Sequence, residues 1–118
     1  MAGYSVITYK GKEISYLDYR GMKLEDMLRT IDEAVQQSLK LQKKRLQLTN
    51  ATGIFAVPEF MEKIKEAGKK TRHLTSKSAV VGITGSKKIL LNAYNLFTGA
   101  NMMAFDDEES AKEWLVRD

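Results

Sequence analysis

Residues 78–88 constrain the fold of this chain more than any other stretch of its sequence. They read Ser-Ala-Val-Val-Gly-Ile-Thr-Gly-Ser-Lys-Lys, an apolar run followed by a glycine-containing turn and the start of an amphipathic pattern. The run leaves no polar face before Thr84, which is typical of a strand covered on both sides. The stretch therefore predicts strand, loop and helix within an α/β fold. It carries no specific catalytic signature.

The length and composition indicate one folded domain over residues 1–118. A chain of 118 residues buries about two-thirds of its unfolded surface on folding. The chain has no cysteine, which excludes disulfides, thiolate nucleophiles and cysteine-bound metals. Its N-terminal sequence lacks a signal-peptide pattern, and no window approaches the ~20 apolar residues of a membrane span. We therefore expect a cytoplasmic protein with no integral membrane association.

The net charge of +4 arises largely in two basic segments, residues 40–45 and 63–77. A nucleic-acid interface usually interleaves such charges with aromatic side chains that stack on bases. Neither segment contains an aromatic residue of this kind. The basic side chains are better explained as part of the solvent-exposed faces of helices and loops, so we expect no nucleic-acid partner.

The first half of the chain predicts a hairpin, a long helix and a third strand. Residues 5–9 and 13–19 are β-branched and aromatic segments joined by a short link that contains Gly11. From Leu24 the apolar residues follow helical spacing, and residues 45–50 return to alternation. Because a helix separates the second and third strands, they should be parallel. The predicted apolar face of the helix comprises Leu24, Met27, Leu28, Ile31, Ala34, Val35 and Leu39.

Two further helices flank the central strand. Pro58 suits the first turn of the earlier helix, which should break or end near Gly68 because glycine costs about 1 kcal/mol in a helix interior. Ser86 is expected to cap the later helix, and Gly99 is placed to end it.

The end of the chain predicts a fifth strand and a last helix. Residues 102–105 are short and apolar, and the acidic residues 106–109 supply a helix cap followed by further carboxylates. The predicted order is β-β-α-β-α-β-α-β-α. This is a single α/β domain with a mixed sheet, which combines an N-terminal antiparallel hairpin with parallel crossover units.

Three parts of the chain together resemble the SpoIIAA-like branch of the STAS family. They are residues 14–21 (ISYLDYRG), the segments SAVVGITG and KILLNA at 78–85 and 88–93, and residues 105–115. The resemblance covers nearly the whole chain. It implies a compact STAS-like sandwich, related to anti-sigma-factor antagonists and likened to lipid-binding CRAL-TRIO domains.

The resemblance also implies a phosphorylation site at Thr52. Phosphorylatable STAS domains carry an Asp, two hydroxyl residues and a Gly at the turn after a strand. The matching stretch here is Asn50-Ala51-Thr52-Gly53, which lacks the Asp and one hydroxyl. The alternative is that the Thr52 hydroxyl only satisfies hydrogen bonds of the turn.

Several polar residues follow strands that should run parallel, at the edge where open α/β sheets form binding crevices. The helix start after Gly85 could hold an anion on its free amides with Lys87 nearby, although the segment lacks the spacing of a P-loop. The alternative is an ordinary turn and helix cap. The candidate ligand-binding residues are Asp18, Asn50, Thr52, Thr84, Gly85, Ser86 and Lys87.

The sequence gives little support for an enzyme. His73 is the only histidine, and the basic segment around it offers no acid to orient it as a general base. We expect it on the surface and predict no catalytic residue. The acidic residues 106–109 are explained by a helix start without any ion, so we predict no metal and no cofactor.

The function classes that remain depend on the helix after Ser86. Its apolar residues Ile89, Tyr94 and Phe97 exceed what one sheet face can cover. This favours a non-enzymatic regulatory or protein-interaction module, in which these residues meet a protein partner or form a homodimer. The alternative is a carrier or sensor that holds a small apolar, lipid-like or anionic ligand in a cavity near the carboxyl ends of the parallel strands.

Overall fold

A mixed sheet of five strands forms the centre of the computed structural model, which describes residues 3–117. The strands are β1 (Gly3–Tyr9), β2 (Lys12–Asp18), β3 (Arg45–Asn50), β4 (Thr75–Val81) and β5 (Met103–Phe105). They lie side by side in chain order; β1 and β2 are antiparallel, whereas β2 to β5 are parallel. The α/β class and the mixed sheet with its N-terminal hairpin are therefore confirmed.

Helices cover both faces of the sheet. They are α1 (Leu24–Leu41), α2 (Pro58–Thr71), α3 (Lys87–Thr98) and α4 (Glu108–Val116), with a 3-10 turn at Arg72–Leu74 between α2 and β4. None of the described helices is long and apolar enough to cross a membrane.

Because alternate residues of a strand point to opposite faces, the sheet supports two hydrophobic cores. On one face, Leu17 and Val80 pack with residues of α1 and α2, including Ile31 and Phe60. On the other face, residues of β2 to β4 pack against the inner side of α4. The buried members of this second core are Ile14, Leu48, Ala79, Val81, Ala111 and Leu115.

Helix α2 continues through Gly68 to Thr71, so the predicted break near Gly68 is wrong. A Cβ at position 68 would lie 2.5 Å from the Tyr94 hydroxyl oxygen and 2.9 Å from Cγ2 of Thr98. Both of these residues belong to α3. The close approach of the two helices therefore explains a glycine that propensity alone disfavours.

The inner face of α1 also differs from the prediction at its end. Leu39 is 41% exposed, whereas Ser38 is only 1% exposed. Ser38 lies four residues after Ala34 and seven after Ile31, so it continues the buried stripe of the helix. A polar side chain is thus buried where the sequence pattern placed an apolar one.

The two predicted helix caps have different outcomes. Ser86 precedes α3 but makes no side-chain capping bond, because its backbone (φ −63°, ψ −20°) is already helical. At α4, the Asp107 side chain accepts a hydrogen bond from the Ser110 backbone N–H at 2.7 Å. This bond lowers the pKa of Asp107, and the acidic helix start is confirmed.

Candidate functional site

The crevice that the sequence predicts is divided between the two faces of the sheet. Asp18 and Asn50 are partners in the register of β2 and β3. Asn50 donates through Nδ2 to Oε2 of Glu108 at 2.6 Å, which places it on the face covered by α4. Thr84, Gly85 and Ser86 are instead exposed in the loop after β4, and Lys87 lines a cavity on the opposite face.

A hydrogen-bond network holds the buried Asp18 and Asn50, and the sequence did not single out its other members. The Asp18 carboxylate accepts from Arg20 through Nε at 2.9 Å, Nη2 at 2.8 Å and the backbone N–H at 3.1 Å. Glu108 accepts from the Tyr16 hydroxyl as well as from Asn50. These polar groups bind one another, so they stabilise the position of α4 rather than form an open site.

The titration behaviour of this network also favours a structural role. Hydrogen bonds from Arg20 hold the pKa of Asp18 below its ordinary value, against the effect of burial. Burial and the hydrogen bond to Glu108 raise the pKa of Tyr16 to about 12. Neither Asp18 nor Tyr16 changes its protonation near neutral pH, as a general acid or base would.

Thr52 lies in an exposed turn after β3, and its backbone N–H donates to Oδ1 of Asn50 at 3.1 Å. Helix α2 begins only at Pro58, so Thr52 does not lie at a helix start. The turn packs against Gly82, where a Cβ would lie 2.6 Å from the Thr52 Oγ1. Phosphorylation of Thr52 stays a prediction.

Helix α3 presents a different set of residues to solvent from the set predicted. Ile89 is 70% exposed and Phe97 is 49% exposed, but Tyr94 is only 9% exposed, so its predicted place at an interface is wrong. Tyr94 faces inward because it packs against the surface of α2 at Gly68. Leu96, which the sequence analysis did not select, is 87% exposed.

A cavity of about 120 Å³ lies between the sheet and helices α1, α2 and α3. Most of its wall is apolar and includes Phe60, Ile64, Leu90 and Leu91. For comparison, an apolar cavity of about 150 Å³ holds a benzene molecule. The space is therefore large enough for a small apolar group of about six carbons.

The cavity runs from the carboxyl ends of the parallel strands toward their amino ends. Ile83 and Lys87 line it at the first end, and Ser38, Gln47 and Thr71 line it at the second. The second end is polar, whereas the first combines the apolar Ile83 with the ammonium group of Lys87. We call the second end the Ser38 end.

Arg45 is buried directly behind the Ser38 end, with only 8% of its surface exposed. Its Nη1 donates to the hydroxyls of Ser15 and Tyr4, and its Nη2 donates to the Ser38 hydroxyl. Its Nε has no partner. Within residues 3–117 no carboxylate pairs with this guanidinium, although a buried charge is normally paired.

Ser78 provides a second unpartnered polar atom near the same end. It lies opposite Gln47 in the register of β3 and β4 and is 7% exposed, and its Oγ has no hydrogen-bond partner among residues 3–117. It lines a smaller cavity of about 70 Å³ that shares Gln47 and Thr71 with the larger one. The two spaces are thus adjacent.

Residues 3–117 contain no group of three or more His, Asp or Glu side chains that could hold a metal ion. His73 is exposed, as predicted. The notable chemistry of the described chain is therefore a mostly apolar cavity with a buried arginine behind its Ser38 end.

The chain forms a small α/β domain with a mostly apolar cavity between its sheet and helices α1, α2 and α3. No protein-family model matches the chain, and no curated protein or solved structure is significantly similar to it. The resemblance to the SpoIIAA-like branch of the STAS family accordingly stays a prediction.

Proposed function

We propose that the protein is a non-enzymatic carrier or sensor that binds a small apolar or lipid-like ligand in the cavity beneath α3. The cavity itself carries the proposal, because protein interiors are normally packed as densely as organic crystals. The space of about 120 Å³ is partly open to solvent, so a ligand could enter it and bury apolar surface against its wall.

Substitutions on helix α3 can distinguish an effect on ligand binding from an effect on folding. Its inner residues Leu90, Leu91 and Tyr94 line the cavity, while Leu96 on its outer side is 87% exposed. The same helix therefore offers an inner and an outer leucine for a matched comparison.

Filling the cavity should abolish binding of an apolar probe. Leu91→Trp adds a bulky side chain to the cavity wall, and we expect the Kd of hexan-1-ol to rise at least about tenfold. Leu96→Trp makes the same change on the exposed side and should leave the Kd unchanged. NMR chemical-shift titration measures both values. Equal Kd values for the two variants, or no binding by the wild type, would contradict a ligand cavity.

A second candidate function is protein interaction, with self-association into a homodimer. Exposed apolar side chains on the outer face of α3 favour it, because Ile89 and Leu96 lie seven residues apart on one side of the helix and Phe97 follows directly. The ring of Phe97 is flanked by the ammonium groups of Lys65 and Lys69, at 5.6 Å and 4.7 Å from its centroid.

Sedimentation velocity at micromolar concentration tests this second function. The wild type should sediment as a dimer and Leu96→Glu as a monomer, because a charge at the centre of an apolar interface lacks a partner. Leu41→Glu is the matched control, since Leu41 is an exposed leucine on α1 and its variant should remain dimeric. A monomeric wild type would rule out self-association through α3.

A further inference from the structure

We infer that the ligand of this cavity is a small monocarboxylate, whose carboxylate lies at the Ser38 end and whose apolar tail points toward α3. The inference rests on the proposed function and adds to it the chemical class of the ligand and its orientation. The buried charge of Arg45 is the main observation behind it.

The charge of Arg45 has no compensating anion in the described part of the chain. Its guanidinium bonds only to neutral hydroxyls, those of Tyr4, Ser15 and Ser38. A buried charge is costly unless an opposite charge or a metal compensates it, and a carboxylate is the usual partner.

The position of Arg45 links this charge to the cavity. Ser38 lines the cavity and contacts Arg45 through its hydroxyl, so a single side chain separates the guanidinium from the open space. Gln47, two residues along β3, also lines the cavity there. A carboxylate at this end would accept a hydrogen bond from the Gln47 side-chain amide and lie close enough to offset the charge behind it.

Two buried polar atoms without hydrogen-bond partners lie near the Ser38 end and also favour an anionic ligand. Among residues 3–117, the Arg45 Nε and the Ser78 Oγ are buried without a hydrogen-bond partner, and each residue is less than one-tenth exposed. Ser78 lines the smaller cavity next to the Ser38 end, and Arg45 lies behind Ser38. Such groups are rare in folded proteins and each costs stability. An anionic ligand supplies acceptors, which is what donors of this kind lack.

Lys87 at the opposite end is the alternative partner for an anion. Its ammonium lies at the start of α3, where the side chain is partly exposed. Water can therefore solvate Lys87 when the cavity is empty, whereas it cannot reach Arg45 in the same way. The buried cation gains more from an anion, so the carboxylate is expected at the Ser38 end.

Comparing two probes of equal chain length tests the assignment. We expect the wild type to bind hexanoate at least about tenfold more tightly than hexan-1-ol, measured by NMR titration. Arg45→Met should remove this preference by weakening hexanoate alone. Lys87→Met removes the cation that lines the opposite end of the cavity and tests the alternative anion position; the preference should persist in this variant.

The outcomes separate this inference from the proposed function. If neither probe binds the wild type, the cavity function fails and the ligand class fails with it. If hexan-1-ol binds as tightly as hexanoate, or if Lys87→Met removes the preference, the cavity function stands but the carboxylate assignment is overturned. Should Arg45→Met not fold, the wild-type preference and the Lys87→Met result decide together with Gln47→Leu, which should weaken hexanoate more than hexan-1-ol because it removes the amide donor at the Ser38 end.

Discussion

Gly82→Ala should lower the melting temperature of the protein by at least about 10 °C. Gly82 has a φ of +90°, which L-residues with a side chain rarely adopt. A Cβ at this position would also lie 2.5 Å from the backbone N and 2.6 Å from the Cα of Thr52. Backbone atoms cannot move away by a side-chain rotation. Either the loop after β4, which carries Gly82, or the loop after β3, which carries Thr52, therefore has to shift.

The size of the effect follows from two separate costs. Backbone strain of this kind costs about 1–3 kcal/mol, and overpacking costs a similar amount. In a domain of this size, each kcal/mol lowers the melting temperature by roughly 4 °C. Differential scanning calorimetry of the variant measures the shift directly.

Gly85→Ala is the matched control for this prediction. Gly85 lies in the same loop with a φ of +57°, but an added Cβ there would meet nothing within 4 Å. Only the smaller cost of a left-handed conformation applies, about 1–2 kcal/mol. Equal melting temperatures for the two variants would show that the contact between Gly82 and Thr52 does not limit stability.

The contact at Gly82 also bears on the cavity. Ala51 and Ile54 follow β3, Ile83 follows β4, and all three line the cavity at the carboxyl ends of the strands. The close approach of Gly82 to Thr52 joins the two loops that carry these residues. The sequence shows Gly82 only as part of a turn, because a contact between two loops leaves no local pattern.

Local patterns were sufficient to predict the order of the elements. The strand at residues 45–50 has the predicted bounds, and the helix that begins at Leu24 was predicted from its spacing. Both signals depend on neighbours a few residues apart, which the sequence shows directly. The extent of α2 was not predictable, because the reason for Gly68 is a contact with α3.

Helix α3 shows a second limit of sequence reasoning. Its apolar residues surround most of the helix, so periodicity cannot say which side faces the sheet. Tyr94 and Leu96 are two residues apart, and one is buried while the other is 87% exposed. The close approach of α3 to Gly68 sets this orientation. Because Gly68 lies on α2, the sequence of α3 alone does not show it.

The sequence predicts part of the arrangement of the candidate polar residues. Asp18 and Asn50 do lie together, because they end neighbouring parallel strands in register. Their partners Arg20 and Glu108 turn them into a structural network, and those partners come from a loop and from α4. The sequence predicts the cavity, by contrast, only as an alternative. Arg45 ends the basic segment 40–45, whose charges are predicted to be solvated, and this prediction is wrong for Arg45, which is only 8% exposed.

Arg45→Met should raise the stability of the ligand-free protein, by an amount of up to about 4 kcal/mol, the upper end of the gain found when a whole buried ion pair or triad is replaced by apolar residues of similar size. Methionine has a comparable unbranched shape and removes the uncompensated charge. The hydroxyls that Arg45 leaves behind keep other partners: Ser38 Oγ donates to the Ala34 carbonyl at 2.8 Å, and Tyr4 Oη lies 3.5 Å from Ser15 Oγ.

Urea denaturation of the ligand-free wild type and variant measures this change, with Arg29→Met as the control. Arg29 is an exposed arginine on α1, paired with Asp26 at 3.3 Å, and its loss should change stability by less than about 0.5 kcal/mol. If Arg45→Met instead lost 3 kcal/mol or more, the bonds from Arg45 to the three hydroxyls would be stabilising on their own. The buried guanidinium would then be a structural group that needs no anion, and the main reason to expect a carboxylate ligand would disappear. A gain in stability of the variant would show that the uncompensated charge of Arg45 lowers the free energy of unfolding of the wild type. A carboxylate bound next to this charge would offset that loss.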